Sequence, residues 1–364
     1  MDSKLTIRKK IALELYRKFR KNARALHQLD YIFWECTLRC NLDCIHCGSD
    51  CKKESMVKDM PVADFIKAID DIKSIVNPNK TMIVFTGGEP LVRNDLEVCG
   101  RQLYKRGFPW GIVSNGLHLT QTRLQSLLQA GLRAVTISLD GMGNSHNWLR
   151  RNPNSFEQAV HAISLLSKIP DLKYDVVSCI NQKNFDELDA IKELLLSKGV
   201  TDWRMFTVFP IGRARDHKEL QLSPVQFKQL FDYIAKERKK GDIKLSYGCE
   251  GYLGNYEGEV RDNLFFCRAG ISIASVLIDG SISACPNLRE NFIEGNIYAD
   301  SFKDVWQKKY RKHRDRNWLK TGDCADCDSF KYCEGNGLHL RNEKGELLFC
   351  HLHRIQEGEK QELN

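Results

Sequence analysis

From Tyr31 to Phe209 the chain repeats one unit six times: a short apolar run, a turn, then a longer stretch with helical spacing. The apolar runs are YIFWECT (31–37), TMIVFT (81–86), WGIVSN (110–115), AVTISLD (134–140), YDVVSCI (174–180) and DWRMFTVF (202–209). Between them, Phe65, Ile69 and Ile72 share one helical face. A second helix is expected from Leu119 to a C-cap at Gly131, and a third opens at the N-cap candidate Ser155. Strands joined through helices lie parallel, because each crossover carries the chain back to the same end of the sheet. Six units are too few to close an eight-stranded barrel. The expected fold is therefore α/β, an open or partial (β/α)6 barrel.

The flanks differ in texture. Residues 4–24 read as a basic amphipathic helix on which Ile7, Ile11, Leu15 and Phe19 fall four apart and Glu14 is the only acid. The simplest placement is a solvated helix packed on the outside of the main domain; a membrane surface or an acidic peptide is the lesser reading. A further helix starts at Ser223-Pro224 and stops at Gly241. Beyond it the chain is rich in Gly with short strand-like pieces (ISIASVLI, SISAC), then a basic segment with Trp306 and Trp318, expected as one charged helix, and then cysteines. The expected organisation is an N-terminal helix (1–30), a core (31–240) and a Cys-rich C-terminal domain (241–364).

Fourteen cysteines in 364 residues need an explanation. Apolar residues at 42 % and charged residues at 28 % describe a globular chain, and no run of about 18 apolar residues suggests a membrane span. The N-terminus has neither an uninterrupted apolar core nor a small-residue cleavage site, so a reducing cytoplasm is expected, where cysteines serve metals or catalysis more often than disulfides. The net charge of +8 fits general solubility. No aromatic-interleaved basic groove is apparent beyond 305–320, which argues against nucleic acid.

Cys40, Cys44 and Cys47 form a C-x3-C-x2-C loop directly after the first strand. Three thiolates can hold three corners of an iron–sulfur cubane and leave one iron open. Zinc is the alternative, and Cys36 or Cys51 could supply a fourth ligand to either. Gly87-Gly88-Glu89-Pro90 ends the second strand, at the end of the barrel where such folds place their sites. The glycines allow close backbone approach to a ligand, and Glu89 offers an acceptor for an ammonium.

Together, this cysteine loop, with His46 before its last cysteine, and the GGEP turn resemble the radical S-adenosylmethionine (radical SAM) superfamily over residues 31 to about 215. The resemblance implies a [4Fe–4S] cluster on Cys40, Cys44 and Cys47 whose open iron chelates S-adenosylmethionine. It also implies reductive cleavage of that cofactor to a 5′-deoxyadenosyl radical, which abstracts hydrogen from a substrate. It places His46 near the adenine and Gly87, Gly88, Glu89 and Pro90 at the amino group. Ser114 and Asn115 on strand three, with Ser138 and Asp140 on strand four, would hold the ribose, and Arg150 the carboxylate. Arg204 and Arg213 could touch substrate or cofactor, or be surface charges. An electron donor of the flavodoxin or ferredoxin type is implied as well.

The C-terminal pattern, Cys267, Gly280-x4-Cys285, Cys324-x2-Cys327-x5-Cys333 and Cys350, resembles the SPASM extension of peptide-modifying members, which carries one or two auxiliary clusters. Cys324, Cys327, Cys333 and Cys350 would complete one; Cys267, Cys285 and Cys249 would start another. The pattern's next cysteine is Gly337 here, which leaves an open iron, a histidine ligand (His339, His351 or His353) or a missing cluster as alternatives. Pro286 replaces the aspartate of the sulfatase-maturing branch, which disfavours formylglycine formation. Cys99 and Cys179 read as core thiols, and Cys36 and Cys51 have no assigned role. The expected activity is oxidative modification of a ribosomally made peptide or protein. Radical chemistry on a small molecule (tetrapyrrole or cofactor biosynthesis) and a non-catalytic iron–sulfur or zinc-stabilised protein are the alternatives. No catalytic side chain is assigned.

Overall fold

The structure, a computed structural model, describes residues 5–248, 250–342 and 344–363. Six parallel strands follow the expected runs: β1 (Tyr31–Thr37), β2 (Met82–Gly87), β3 (Trp110–Ser114), β4 (Leu132–Ser138), β5 (Lys173–Ile180) and β6 (Asp202–Thr207). The sheet does not stop there. β7 (Lys244–Tyr247) adds parallel to β6, and β8 (Ile273–Val276) adds parallel to β1 at the opposite edge. The antiparallel strands β9 (Ser281–Ser283) and β10 (Ile293–Asn296) extend it further, so the order is β10-β9-β8-β1-β2-β3-β4-β5-β6-β7. The chain beyond residue 241 thus re-enters the sheet at both edges.

Helices α1 (Ile7–Leu26), α2 (Val62–Ile72), α3 (Leu96–Lys105), α4 (Gln121–Gln129), α5 (Gly143–Arg150), α6 (Ser155–Leu166), α7 (Leu188–Ser197) and α8 (Pro224–Lys240) precede β7. The core lies between strands and helices. Ile32 and Trp34 of β1 point at α2, where Trp34 stacks on Phe65 with ring centroids 4.3 Å apart and planes 3° from parallel. Phe85 meets Trp34 edge-on at 5.3 Å between centroids and stacks on Trp110 at 5.1 Å. Alternate residues, among them Tyr31, Thr136, Asp175 and Arg204, therefore face the concave side away from the helices.

Local signals account for the helix ends. Ser223 and Gln226 form a reciprocal capping box and Gly241 closes α8 at φ +80°. Ser155 is the first residue of α6 and Asn154 its N-cap, because the Ser155 hydroxyl is taken by His146 Nε2 at 3.0 Å.

One expectation about the C-terminal region changes. The basic segment 301–320 is broken into α9 (Phe302–Lys308), α10 (Arg311–Arg314) and a 3-10 turn at Asn317–Leu319, because Tyr310 takes a left-handed conformation (φ +61°). Its Arg316 is buried rather than solvated, bonded to the carbonyls of His313 and Cys267. On α1, which does lie on the outside, the face bearing Ile7, Ile11, Leu15 and Phe19 points to solvent. The opposite face docks, with Leu13 buried and Arg20 bonded to the carbonyls of Lys331 and Tyr332. α11 (Phe330–Cys333) and α12 (His351–Leu363) complete the fold, α12 lying along α8.

Because Trp34 joins β1 to α2 and β2, Trp34→Ala is expected to cost about 3–5 kcal/mol. Urea unfolding reads the loss, and Trp34→Phe should recover much of it.

Candidate active site

The cysteine loop has no helix of its own. Its backbone is held by strand ends from around the barrel. Cys40 N–H donates to Lys52 O at 2.7 Å and Ile45 N–H to Leu149 O at 2.9 Å. Arg213, after β6, donates from Nε to Cys44 O at 2.8 Å and from its backbone N–H to Cys47 O at 3.0 Å. A third bond joins its Nη1 to Cys51 O at 2.9 Å. Arg213 is thus a strut of the loop, and its Nη1 also pairs with Asp43 and Asp50.

The glycine pair serves the same loop. A Cβ on Gly87 would stand 2.1 Å from Thr37 O, and one on Gly88 2.1 Å from Arg39 O. Gly88 N–H donates to Thr37 O at 2.7 Å and Glu89 N–H to Arg39 O at 2.9 Å. The close approach is to backbone of the chain itself. Glu89 is buried, and its carboxylate accepts from Leu91 N–H (3.1 Å), Ser114 Oγ (2.8 Å) and Asn115 N–H (2.8 Å). Burial pushes its pKa up, and these donors pull against that rise. The carboxylate is thus committed to tying β2 to β3. Pro90 starts a 3-10 turn beside it, and Asn115 Nδ2 reaches Asn41 Oδ1 at 2.8 Å.

At the end of β4, Asp140 is fully buried against Arg150, whose Nε and Nη2 lie 2.6 and 2.5 Å from Oδ2. Oδ1 accepts from Cys179 N–H at 2.8 Å, and Arg150 Nη1 reaches Cys44 Sγ at 3.7 Å. Burial works against the Asp140 charge, but the Arg150 guanidinium outweighs it and holds the carboxyl below its usual range. Asp140 N–H donates to His146 Nδ1 at 2.9 Å, so His146 carries its proton on Nε2, toward Ser155. Ser138, the last residue of β4, pairs in register with Val177.

Among the thiols, burial pushes Cys40 up to about 12 and raises Cys44 against the pull of Arg150. Cys47 is held low, chiefly by a hydrogen bond from the Cys51 thiol, which is pushed up in turn. Cys51, unassigned from sequence, therefore belongs to the loop; its closeness to Cys47 in the chain was the available signal. Cys36 donates to Thr86 O at 3.3 Å and Cys99 is buried in the core. The donor chemistry of the loop suits a soft metal and a cofactor with polar groups: it carries three thiols, and the buried Asn41 Nδ2 and His46 Nδ1 have no partner among the described residues. No three Cys, His, Asp or Glu side chains among those residues already stand close enough together to hold a metal ion. Burial holds His46 down to about 4, so its imidazole is neutral.

In the C-terminal region Cys324, Cys327, Cys333 and Cys350 line one small enclosed cavity with Asn336 and His353. Glu334, Gly335 and Asn336 are all left-handed, and this turn aims Asn336 N–H at Cys333 Sγ (3.1 Å). Arg341 Nη2 donates to Cys324 Sγ at 3.3 Å. Burial raises the Cys267 thiol, but Arg316 and the N–H groups of Leu338 and Ala269 outweigh it and hold its pKa below the ordinary value. Cys285 sits on the turn after β9, and Cys249 lies outside the described residues. At Gly337 a Cβ would stand 2.6 Å from both Glu250 O and His339 Cε1, so the position is filled by neighbours. His351 Nε2 faces Tyr247 Oη at 3.0 Å.

Comparison with known proteins decides the family. Residues 34–195 match the Radical SAM superfamily, and residues 267–328 match SPASM, an iron–sulfur cluster-binding domain. The mycofactocin maturase MftC of Mycolicibacterium smegmatis is 30 % identical over 312 residues, 83 % of this chain and 76 % of that protein. The chain belongs to the radical SAM superfamily. An AdoMet-dependent heme synthase of Methanosarcina barkeri is 26 % identical over 339 residues, 87 % of this chain and 93 % of that protein. Solved structures share the fold: anSMEcpe with bound AdoMet at TM-score 0.68 and 18 % identity, covering 92 % of this chain and 95 % of that one. SuiB of Streptococcus suis, bound to its precursor peptide SuiA, also gives 0.68, at 13 % identity, covering 94 % and 79 %.

The chain is therefore a radical SAM enzyme with a SPASM region, using AdoMet and [4Fe–4S] clusters. Bound there, these groups supply reductive sulfonium cleavage and hydrogen-atom abstraction. The protein's own part is positional. Arg213 and the strand-two glycines fix the cysteine loop, Glu89 locks the neighbouring strand ends, and Asp140 fixes the Arg150 guanidinium against Cys44.

Two measurements test this description. Arg150→Met leaves Asp140 buried and unpaired, at an expected cost of roughly 3–5 kcal/mol; Arg150→Met with Asp140→Asn should recover most of it in urea unfolding. Burial holds His146 down to about 4, against about 6.5 unfolded. Between those values the unfolded chain binds a proton that the folded chain refuses. Stability therefore falls as pH drops from about 6.5 toward 4 and levels below. The denaturation midpoint should be lower at pH 5 than at pH 7, by less in His146→Gln.

Proposed function

We propose that this enzyme oxidatively modifies a ribosomally made peptide or protein, with Cys40, Cys44 and Cys47 holding the catalytic cluster. Cys324, Cys327, Cys333 and Cys350 hold one auxiliary cluster, and Cys267 and Cys285 contribute to another. One observation carries the reading. A cavity of about 470 Å³ is walled by Gly48 and Ser49, directly after Cys47, and by Pro286, Asn287 and Leu288, directly after Cys285. A substrate in it lies within reach of both cysteine sets, the arrangement that stepwise oxidation of one substrate needs.

The heme synthase relatives favour a second reading, a carboxylated tetrapyrrole. Charge pairing on the concave face weighs against it. A larger cavity of about 920 Å³ opens between β1 and β7 and reaches Phe206 and Gly248 at the strand ends. Three of its four cations are matched, Arg204 to Asp175, Lys244 to Asp262 at 3.2 Å and Arg261 to Glu257 at 3.2 Å, and the fourth, Arg268, lies over the Tyr31 ring at 5.4 Å. A neutral polypeptide backbone suits such a surface better than a polyanion does. A reduced flavodoxin or ferredoxin would supply the electron, in a reducing compartment. No helix among the described residues is long and apolar enough to cross a membrane.

The reconstituted enzyme, given dithionite and AdoMet, is expected to form 5′-deoxyadenosine and to shift the mass of a peptide encoded beside its gene. Turnover of a carboxylated tetrapyrrole with no change in any such peptide would move the assignment to the second reading.

A further inference from the structure

We propose that α1 is an interfacial anchor that lays this enzyme on an anionic membrane surface. Ile7, Ile11, Leu15, Phe19 and Leu26 are 79, 57, 61, 55 and 76 % exposed and run along one side of the helix. At 1.5 Å per residue the stripe is roughly 30 Å long. Apolar side chains scattered singly on a surface need no explanation, but a continuous stripe of five does.

The stripe is not waiting for the rest of the chain to cover it. The other face of α1 is already fixed by Leu13, by Arg20 on the carbonyls of Lys331 and Tyr332, by Arg24 on Glu334 and by Lys9 on Glu259. These contacts hold the helix rigid with its apolar side outward.

Shape and charge select the occupant. From Ile7 to Leu15 the stripe is the crest of a single convex helix, whereas a docked peptide helix needs a groove; only its far end, at Phe19 and Leu26, borders a cavity. A bilayer interface accepts a convex crest along its whole length. Arg8, Lys10, Lys18 and Lys21 are exposed along the crest and its border, and none has a carboxylate within ion-pair distance among the described residues. Their stems can lie beside the buried crest while their charges reach lipid phosphates. A second copy of the chain fits poorly, because it would bring the same four cations face to face. Phe19 and Leu26 also border the larger cavity, so anchoring puts the mouth of that cavity at the lipid interface.

The test is co-sedimentation of the full-length reconstituted enzyme with sucrose-loaded vesicles, either phosphatidylcholine alone or phosphatidylcholine with phosphatidylglycerol. The enzyme should pellet with the anionic vesicles and bind at least about tenfold more weakly to the neutral ones and at high salt. Ile11→Glu with Leu15→Glu should abolish pelleting while circular dichroism and the melting temperature stay unchanged, since both residues are exposed. Failure of the wild type to pellet, or equal pelleting of the variant, overturns the proposal. So does a dimer in light scattering that the same variant dissolves, which assigns the stripe to a second copy. Stripe-dependent binding of an acidic amphipathic peptide without vesicle binding overturns it in favour of a polypeptide partner.

Discussion

The cysteine loop after β1 depends on backbone that is not its own. A loop that carries three thiols without regular secondary structure has to be held in shape from outside, and here Leu149 of α5, Arg213 after β6 and the glycine end of β2 do the holding. Gly87 and Gly88 let β2 press against Thr37 and Arg39 to within a distance that no side chain would allow. Arg213 reaches the loop from β6, and Gly212 beside it is left-handed, where a Cβ would stand 2.5 Å from Cys47 O. Moving any of these strands moves the loop, so barrel and site form one mechanical unit.

The same economy governs the polar groups. Glu89 and Asp140 are buried carboxylates just beyond the ends of β2 and β4, yet they are satisfied differently. Glu89 accepts from neutral donors and ties β2 to β3. Asp140 keeps its charge through Arg150 and passes orientation on to Cys44. One is a pin, and the other sets the electrostatics around a thiol. The C-terminal sites repeat the second device, with Arg316 on Cys267 and Arg341 on Cys324.

The six core strands were legible because each is a local apolar run bounded by turn residues, and a helix of adequate length separates each pair. Ser223, Pro224 and Gly241 were legible for the same local reason. β8 and β9 were legible as short strand-like pieces but their place in the sheet was not, and β7 was not legible at all, since four residues carry little pattern and the partners lie 40 or more positions away or on β1. The glycine pair was correctly placed at the strand end, but its reason is a tertiary contact invisible in the motif. On α1 the periodicity and the outside position were legible and the docking face was left open, because amphipathicity cannot say which face docks. Long basic stems can dock too, as Arg20 does on two carbonyls.

The outward face of α1 bears on the net charge of +8. Around the cysteine loop, Arg150 is committed to Asp140, and Arg213 to Asp50 and two carbonyls. On the concave face Arg204 is taken by Asp175, whereas Arg268 lies over the ring of Tyr31 with no ion pair among the described residues. Arg8, Lys10, Lys18 and Lys21 along α1 also have no ion pair among the described residues. A uniform excess of charge serves solubility, but cations gathered beside an exposed apolar stripe give that excess a direction.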